Sequence, residues 1–154
     1  MYILRLALLD ELDKLVYFDS KVNLTAWSYI DYYNSYLNED NYIYVLELDQ
    51  KIYACCVWGK IEYDAEILQL WVSKPYQGVG IGHMFLKKII ELLRDQFFIK
   101  KVFLELRENN LLAQKLYLKN GFKVIGKRKN YYIVDNIYID AILMVNNIKE
   151  INFV

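Results

Sequence analysis

The sequence predicts a mixed α/β domain, one mainly antiparallel sheet with helices on its faces. Three observations carry this. Segments whose apolar residues alternate interleave with segments whose apolar residues recur every three or four positions. The centre of the chain holds consecutive strand-like runs separated by a polar turn, the pattern of an antiparallel meander. The 154 residues are 56% apolar and 25% charged with a single proline, which suits one packed domain over residues 1–154 and excludes a disordered linker.

Taken in order, Tyr2–Ala7 reads as a strand and Leu9–Phe18 as a helix with Leu9, Leu12, Leu15 and Val16 along one face. Asn23 or Thr25 is placed to cap a second helix running to about Asn38, with Ala26, Tyr29, Ile30, Tyr33 and Leu37 as its buried stripe. Tyr42–Leu48 and Ile52–Ile61 are strands about a turn at Asp49 and Gln50, and Glu66–Val72 is a third. From Gly80 to about Phe97, Phe85, Ile89, Leu93 and Phe97 recur beside Leu86 and Ile90, a helical stripe. Val102–Leu106 is a strand, Leu111–Lys119 a helix closed by Asn120 and Gly121, and Phe122–Lys127 and Tyr138–Val145 are the last strands.

Nineteen basic and nineteen acidic residues cancel, so no global field draws the chain to nucleic acid or anionic lipid. The longest apolar run, Ile52–Trp58, is far too short to span a membrane. The start of the chain, Leu6–Leu9 before Asp10 and Glu11, lacks a signal-peptide core. A cytosolic protein is expected. Cys55 and Cys56 are neighbours in an apolar stretch, where an ordinary disulfide does not fit and a metal lacks further ligands. They read as buried packing residues, and no metal site is expected.

The chemistry concentrates in Pro75-Tyr76-Gln77-Gly78-Val79-Gly80-Ile81-Gly82-His83, between a strand and a helix. Glycines there leave backbone N–H groups unshielded at the positive end of a helix dipole, a cradle for a pyrophosphate. A dinucleotide fingerprint counted from Gly78 ends on His83 rather than glycine. A P-loop needs Gly-Lys-Ser/Thr, which is absent. The remaining pattern, Q/R-x-x-G-x-G/A, is met by Gln77, Gly80 and Gly82. A glycine turn that binds nothing is the bland alternative.

At this loop the chain resembles the GCN5-related N-acetyltransferases (GNATs), and the likeness runs from about Glu66 to Met144. Leu104-Glu105-Leu106-Arg107, Asn109-Asn110, Leu116-Tyr117 and Asn120-Gly121-Phe122 resemble the family's fifth strand, the helix after it and the opening of its sixth strand. Arg128-Lys129-Asn130-Tyr131-Tyr132 and Asp140-Ala141-Ile142-Leu143-Met144 resemble the closing hairpin of the RimI-type branch, which acetylates the N-terminal alanine of ribosomal protein bS18.

The resemblance implies a GNAT fold whose sheet splays between the strand ending at Val72 and the strand of Glu105. It implies acetyl-CoA as cosubstrate, with contacts at Leu70, Trp71, Val72, Gln77, Gly78, Val79, Gly80, Ile81, Gly82, His83, Asn110 and Tyr117. It makes Glu105 the general base and Tyr117 the general acid, in direct transfer with no acyl-enzyme and no metal. Gly78 and His83 stand where this branch usually carries basic residues. The acceptor implied is a protein N-terminus. The alternatives are a small-molecule amine, a lysine side chain, or a non-catalytic acyl-CoA-binding domain.

Read without the family, Glu105 shares a strand face with Phe103 and Arg107, and a surface ion pair with Arg107 is its ordinary role. Tyr117 is otherwise a core aromatic. Among the fifteen tyrosines, Tyr29 and Tyr33 are expected in the core, while Tyr32 with Tyr36 and Tyr131 with Tyr132 are expected to wall an acceptor groove.

Overall fold

The computed structural model describes residues 1–148, so the last six residues of the domain expected over 1–154 lie outside the described residues. The chain divides into two compact units, one of Met1–Gly59 with Ile67–Phe85, the other of Lys60–Glu66 with the described residues from Leu86 onward.

The first unit holds β1 (Ile3–Leu6), α1 (Leu12–Val22), α2 (Tyr29–Leu37) and β2 (Asn41–Leu48). It also holds most of β3 (Lys51–Ile61) and β4 (Asp64–Val72), and the start of α3 (Ile81–Phe97). Its strands run in the order β1-β2-β3-β4. β1 and β3 both pair antiparallel with β2, with Leu46 opposite Leu4 and Ala54. The turn between β2 and β3 falls on Asp49 and Gln50 as expected, with φ of 50° and 66°. Two left-handed residues in succession match the right-handed twist of a tight hairpin. β3 buries every side chain from Ile52 to Trp58, Cys55 and Cys56 among them.

Both expected helices of this unit are present with shifted starts. Leu9–Glu11 forms a 3-10 turn, and α1 follows as far as Val22, past the expected Phe18. Glu11 is held there by Arg5, whose guanidinium donates to its carboxylate at 2.8 Å, and by the Leu8 N–H at 2.9 Å. α2 begins later than either Asn23 or Thr25 predicts. Its cap is Ser28, whose hydroxyl accepts from the Asp31 N–H at 3.3 Å while the Asp31 carboxylate accepts from the Ser28 N–H at 2.8 Å. This reciprocal box satisfies donors that the first helical turn leaves open.

The buried stripe of α2 is consequently different. Tyr32 and Ser35 face inward, while Ala26, Tyr29, Ile30, Tyr33 and Leu37 are exposed. Tyr29 and Tyr33, expected in the core, stack on each other at the surface with centroids 6.0 Å apart. Tyr32, expected in a groove with Tyr36, is fully buried. A buried phenol needs a hydrogen-bond partner, and Asp19 on α1 supplies it at 2.6 Å.

The second unit carries the rest of α3, then β5 (Lys101–Arg107), α4 (Leu111–Lys119), β6 (Lys123–Val134) and β7 (Ile137–Asn147), with strands in the order β4-β5-β7-β6. β7 pairs antiparallel with both β5 and β6. Leu86, Ile89 and Leu93 of α3 are fully buried, as its stripe predicts. Asn110 caps α4 by accepting the Ala113 N–H at 3.2 Å, and Gly121 with φ of 92° takes the chain out of the helix. The closing hairpin is longer than its sequence suggests, because Asp135 and Asn136, with φ of 50° and 62°, make a second tight turn.

Candidate active site

In the first unit the loop after β4 is pinned at its base. The Ser73 N–H donates to the Tyr53 carbonyl at 2.8 Å, a 3-10 turn occupies Lys74–Tyr76, and the Gln77 side-chain amide donates to the Val72 carbonyl at 2.9 Å. Gly78 and Gly80 then adopt φ of 78° and 85°. A Cβ at either would meet nothing within 4 Å, so glycine is needed there for its backbone conformation and not for room. α3 starts at Ile81 and its first turn closes with the Met84 N–H on the Gly80 carbonyl at 3.1 Å. N–H groups of residues 81–83 precede any intrahelical acceptor, so an exposed turn opens onto the N-terminus of a 17-residue helix. An anionic diphosphate fits this donor set.

The flanking strand ends on two buried side chains. Trp71 is buried and donates its indole N–H to the Tyr32 hydroxyl at 3.0 Å, Val72 is buried, and the Leu70 carbonyl accepts from Asn23 at 3.4 Å. Val79 is exposed and Ile81 buried, while His83 lies on the first turn of α3 with Nδ1 shielded from solvent. Gln77 and Asn110 both use their side chains on the protein's own backbone.

In the second unit Glu105 lines a cavity of about 290 Å³ together with Asp64, Glu66, Phe103, Arg128 and Leu143 among others. Its side chain is 18% exposed and meets the Arg128 guanidinium at 3.1 Å. This pair stands in place of the one with Arg107 that the bland reading of Glu105 offers. Arg107 instead donates to the Asn109 side chain at 3.2 Å. Burial pushes the Glu66 carboxyl above its ordinary pKa, the Glu105 charge adds to the rise, and Arg128 offsets part of it. The Tyr132 phenol is pushed up by burial and then by the Glu105 charge, and its ring meets the exposed Tyr131 edge-on at 5.0 Å. Tyr117 is buried on α4 with its ring against Phe122 at 5.4 Å.

Asp64, Glu66 and Arg128 are the charged cavity residues that sequence reasoning passed over as site residues. Asp64 and Glu66, two apart on one strand, share a face, a signal open to inspection. Arg128 was visible only as part of a motif, because its partner is 23 positions away on another strand.

Among the described residues, no three His, Cys, Asp or Glu side chains are grouped to hold a metal. Burial raises the Cys55 and Cys56 thiols well above their ordinary range, which leaves both poor nucleophiles.

The model of the acetyltransferase (GNAT) family matches residues 8–122 of this chain. The chain belongs to that family. As a GNAT protein it is an acetyltransferase, and enzymes of this family use acetyl-CoA. It is 31% identical over 127 residues to a [ribosomal protein bS18]-alanine N-acetyltransferase of Haemophilus influenzae, covering 79% of this chain and 82% of the relative. It is 29% identical over 144 residues to a Bacillus subtilis protein provisionally named for the same activity, covering 92% and 93%. The crystal structure of the ribosomal-protein-S18-alanine N-acetyltransferase of Escherichia coli superposes with a TM-score of 0.88 over 99% of this chain and 97% of that one, at 23% identity. The GNAT fold expected from the sequence is the fold observed, and no helix among the described residues is long and apolar enough to cross a membrane.

Proposed function

We propose that this GNAT enzyme acetylates the α-amine of a protein N-terminus, foremost the N-terminal alanine of ribosomal protein bS18, its two units acting as one domain over residues 1–154. The observation that carries the reading is the Glu105 carboxylate, mostly buried yet lining an open cavity. The names of the relatives in Haemophilus influenzae and Escherichia coli support the acceptor. On this reading the enzyme works in the cytoplasm, with no direct contact to nucleic acid or membrane.

Acetyl-CoA supplies the acetyl group as a thioester. Backbone N–H groups of Gly78–His83 bind its pyrophosphate at the start of α3, and the backbone of Leu70–Val72 orients the pantetheine and polarises the thioester carbonyl. Asn110 holds the start of α4, the helix that carries Tyr117. Glu105 accepts the proton of the attacking amine, whose reference pKa of about 8 leaves most of it protonated at neutral pH. Tyr117 gives its proton to the departing thiolate. One amide bond forms and one thioester bond breaks. The nitrogen, starting as an ammonium, gives one proton to solvent by way of Glu105 before it attacks and a second to Glu105 as the amide forms. Tyr117 protonates the thiolate and regains its proton from Glu105 through solvent, so one proton is released per turnover.

A second reading, a polyamine acceptor, is favoured by one observation: Asp64, Glu66 and Glu105 line the same cavity. Competition for limiting enzyme among an alanine-starting peptide, the same peptide blocked at its N-terminus but carrying a lysine, and spermidine separates the readings. The α-amine should be acetylated first. Preference for spermidine or for the lysine would overturn the N-terminal assignment.

A further inference from the structure

Three carboxylates and one guanidinium line the Glu105 cavity, and the guanidinium is placed with care. Arg128 lies on β6 level with Ala141 of β7, which is in turn level with Arg107 of β5. Ala141 offers only a methyl group between the two arginines, so the long Arg128 side chain can lean across β7 toward Glu105, two residues from Arg107 on the same face.

Immediately after Arg128 the pairing of β6 with β7 slips. Arg128 pairs with Ala141 and Tyr132 with Ile139, so residues 129–131 oppose Asp140 alone. Such a bulge re-aims the side chains around it. This one is pinned, with Asn130 at φ of 54° and its N–H donated to the Asp140 carboxylate at 2.9 Å. The bulge brings the Tyr131 ring under the guanidinium, 5.5 Å from centroid to Cζ. The cation thus has an aromatic face on one side and the Glu105 carboxylate on the other. Its own side chain is 55% exposed, so it has room to swing.

We propose that Arg128 sets the charge that the acceptor site admits. It offsets one of the three carboxylates and keeps a cation beside the bound amine, so a second ammonium close to the first is disfavoured. An incoming α-ammonium displaces the guanidinium from Glu105. The group that follows in a peptide is a neutral amide, which the displaced Arg128 tolerates. In a polyamine the next group is another ammonium, which meets the guanidinium at short range in a partly buried site, where like charges repel more strongly than in bulk water. Without Arg128, Asp64 and Glu66 would be left to hold that second ammonium. This inference rests on the Glu105 cavity being the acceptor site, and it makes Arg128 a specificity residue, with no part in the proton transfers.

The test is kcat and KM for an alanine-starting peptide with neutral following residues and for spermidine, measured with the wild type, Arg128→Gln and Arg128→Lys, with acetyl-CoA affinity by calorimetry alongside. Arg128→Gln should raise the spermidine-to-peptide ratio of kcat/KM by about tenfold or more, mainly through a lower KM for spermidine. Arg128→Lys should restore most of the wild-type ratio, and coenzyme affinity should stay constant in all three. A ratio unchanged in Arg128→Gln, or a lysine variant that behaves like the glutamine one, overturns the inference while the N-terminal acceptor stands. A wild type that already prefers spermidine overturns the acceptor reading and the inference together.

Discussion

The Tyr32 hydroxyl donates to the Asp19 carboxylate at 2.6 Å, and both residues are fully buried. Asp19 also accepts from the Asn23 and Gln69 side chains and from the Trp27 N–H, while the Tyr32 oxygen accepts from Trp71. One carboxylate therefore joins α1, the segment leading to α2, α2 itself and β4.

Tyr32→Phe keeps the ring and removes the link. It leaves the Trp71 indole N–H without its acceptor and takes one donor from a buried carboxylate, at a cost of about 1–3 kcal/mol. Urea denaturation should show that loss at unchanged slope. A midpoint equal to that of the wild type would mean the network does not hold α2 in place.

Glu66 gives a pH signature. Its folded-state pKa is raised by burial and by the Glu105 charge, so the folded state binds its proton more tightly than the unfolded one. That contribution is most favourable at low pH and is lost as pH rises from the ordinary glutamate value through the raised one. Glu66→Gln should therefore be more stable than the wild type at pH 7, with the gap closing near pH 4. Denaturant midpoints at the two pH values check this, and a gap that widens on acidification would contradict it.

Gly80 and Gly82 should separate conformation from contact. Gly80 has φ of 85°, where alanine is strained by about 1–2 kcal/mol, so Gly80→Ala should disturb the loop itself and lower coenzyme affinity. Gly82 lies within α3, where alanine is the better helix former. Gly82→Ala should leave stability equal or higher, and any fall in affinity then reports the close approach of a ligand. Calorimetry showing wild-type affinity in both variants would remove the loop from the binding site.

Much of this was legible in the chain because it depends on local signals. The turns at Asp49-Gln50 and Gly121, the stripe of α3 and the loop at Gly78–Gly80 are each set by a few neighbouring residues, and all lie where expected. The phase of α2 was not legible. Tyr29 and Tyr33 fit a helical stripe as well as Tyr32 does, and what decides between them is Asp19, a partner on another helix. The electrostatics of Glu105 were hidden for the same reason. Arg107 is its neighbour in sequence, yet strand pairing through Ala141 and a bulge at residues 129–131 brings Arg128 to it instead.

The central claim is that Glu105 takes the proton from an α-amine, and the pH dependence of Glu105→Gln tests it most directly. The variant should fold and bind acetyl-CoA as the wild type does, lose most of its turnover of an alanine-starting peptide at pH 7, and recover part of it toward pH 9, where the amine deprotonates unaided. A variant as active as the wild type at pH 7, or one whose deficit is the same at both pH values, would contradict the assignment.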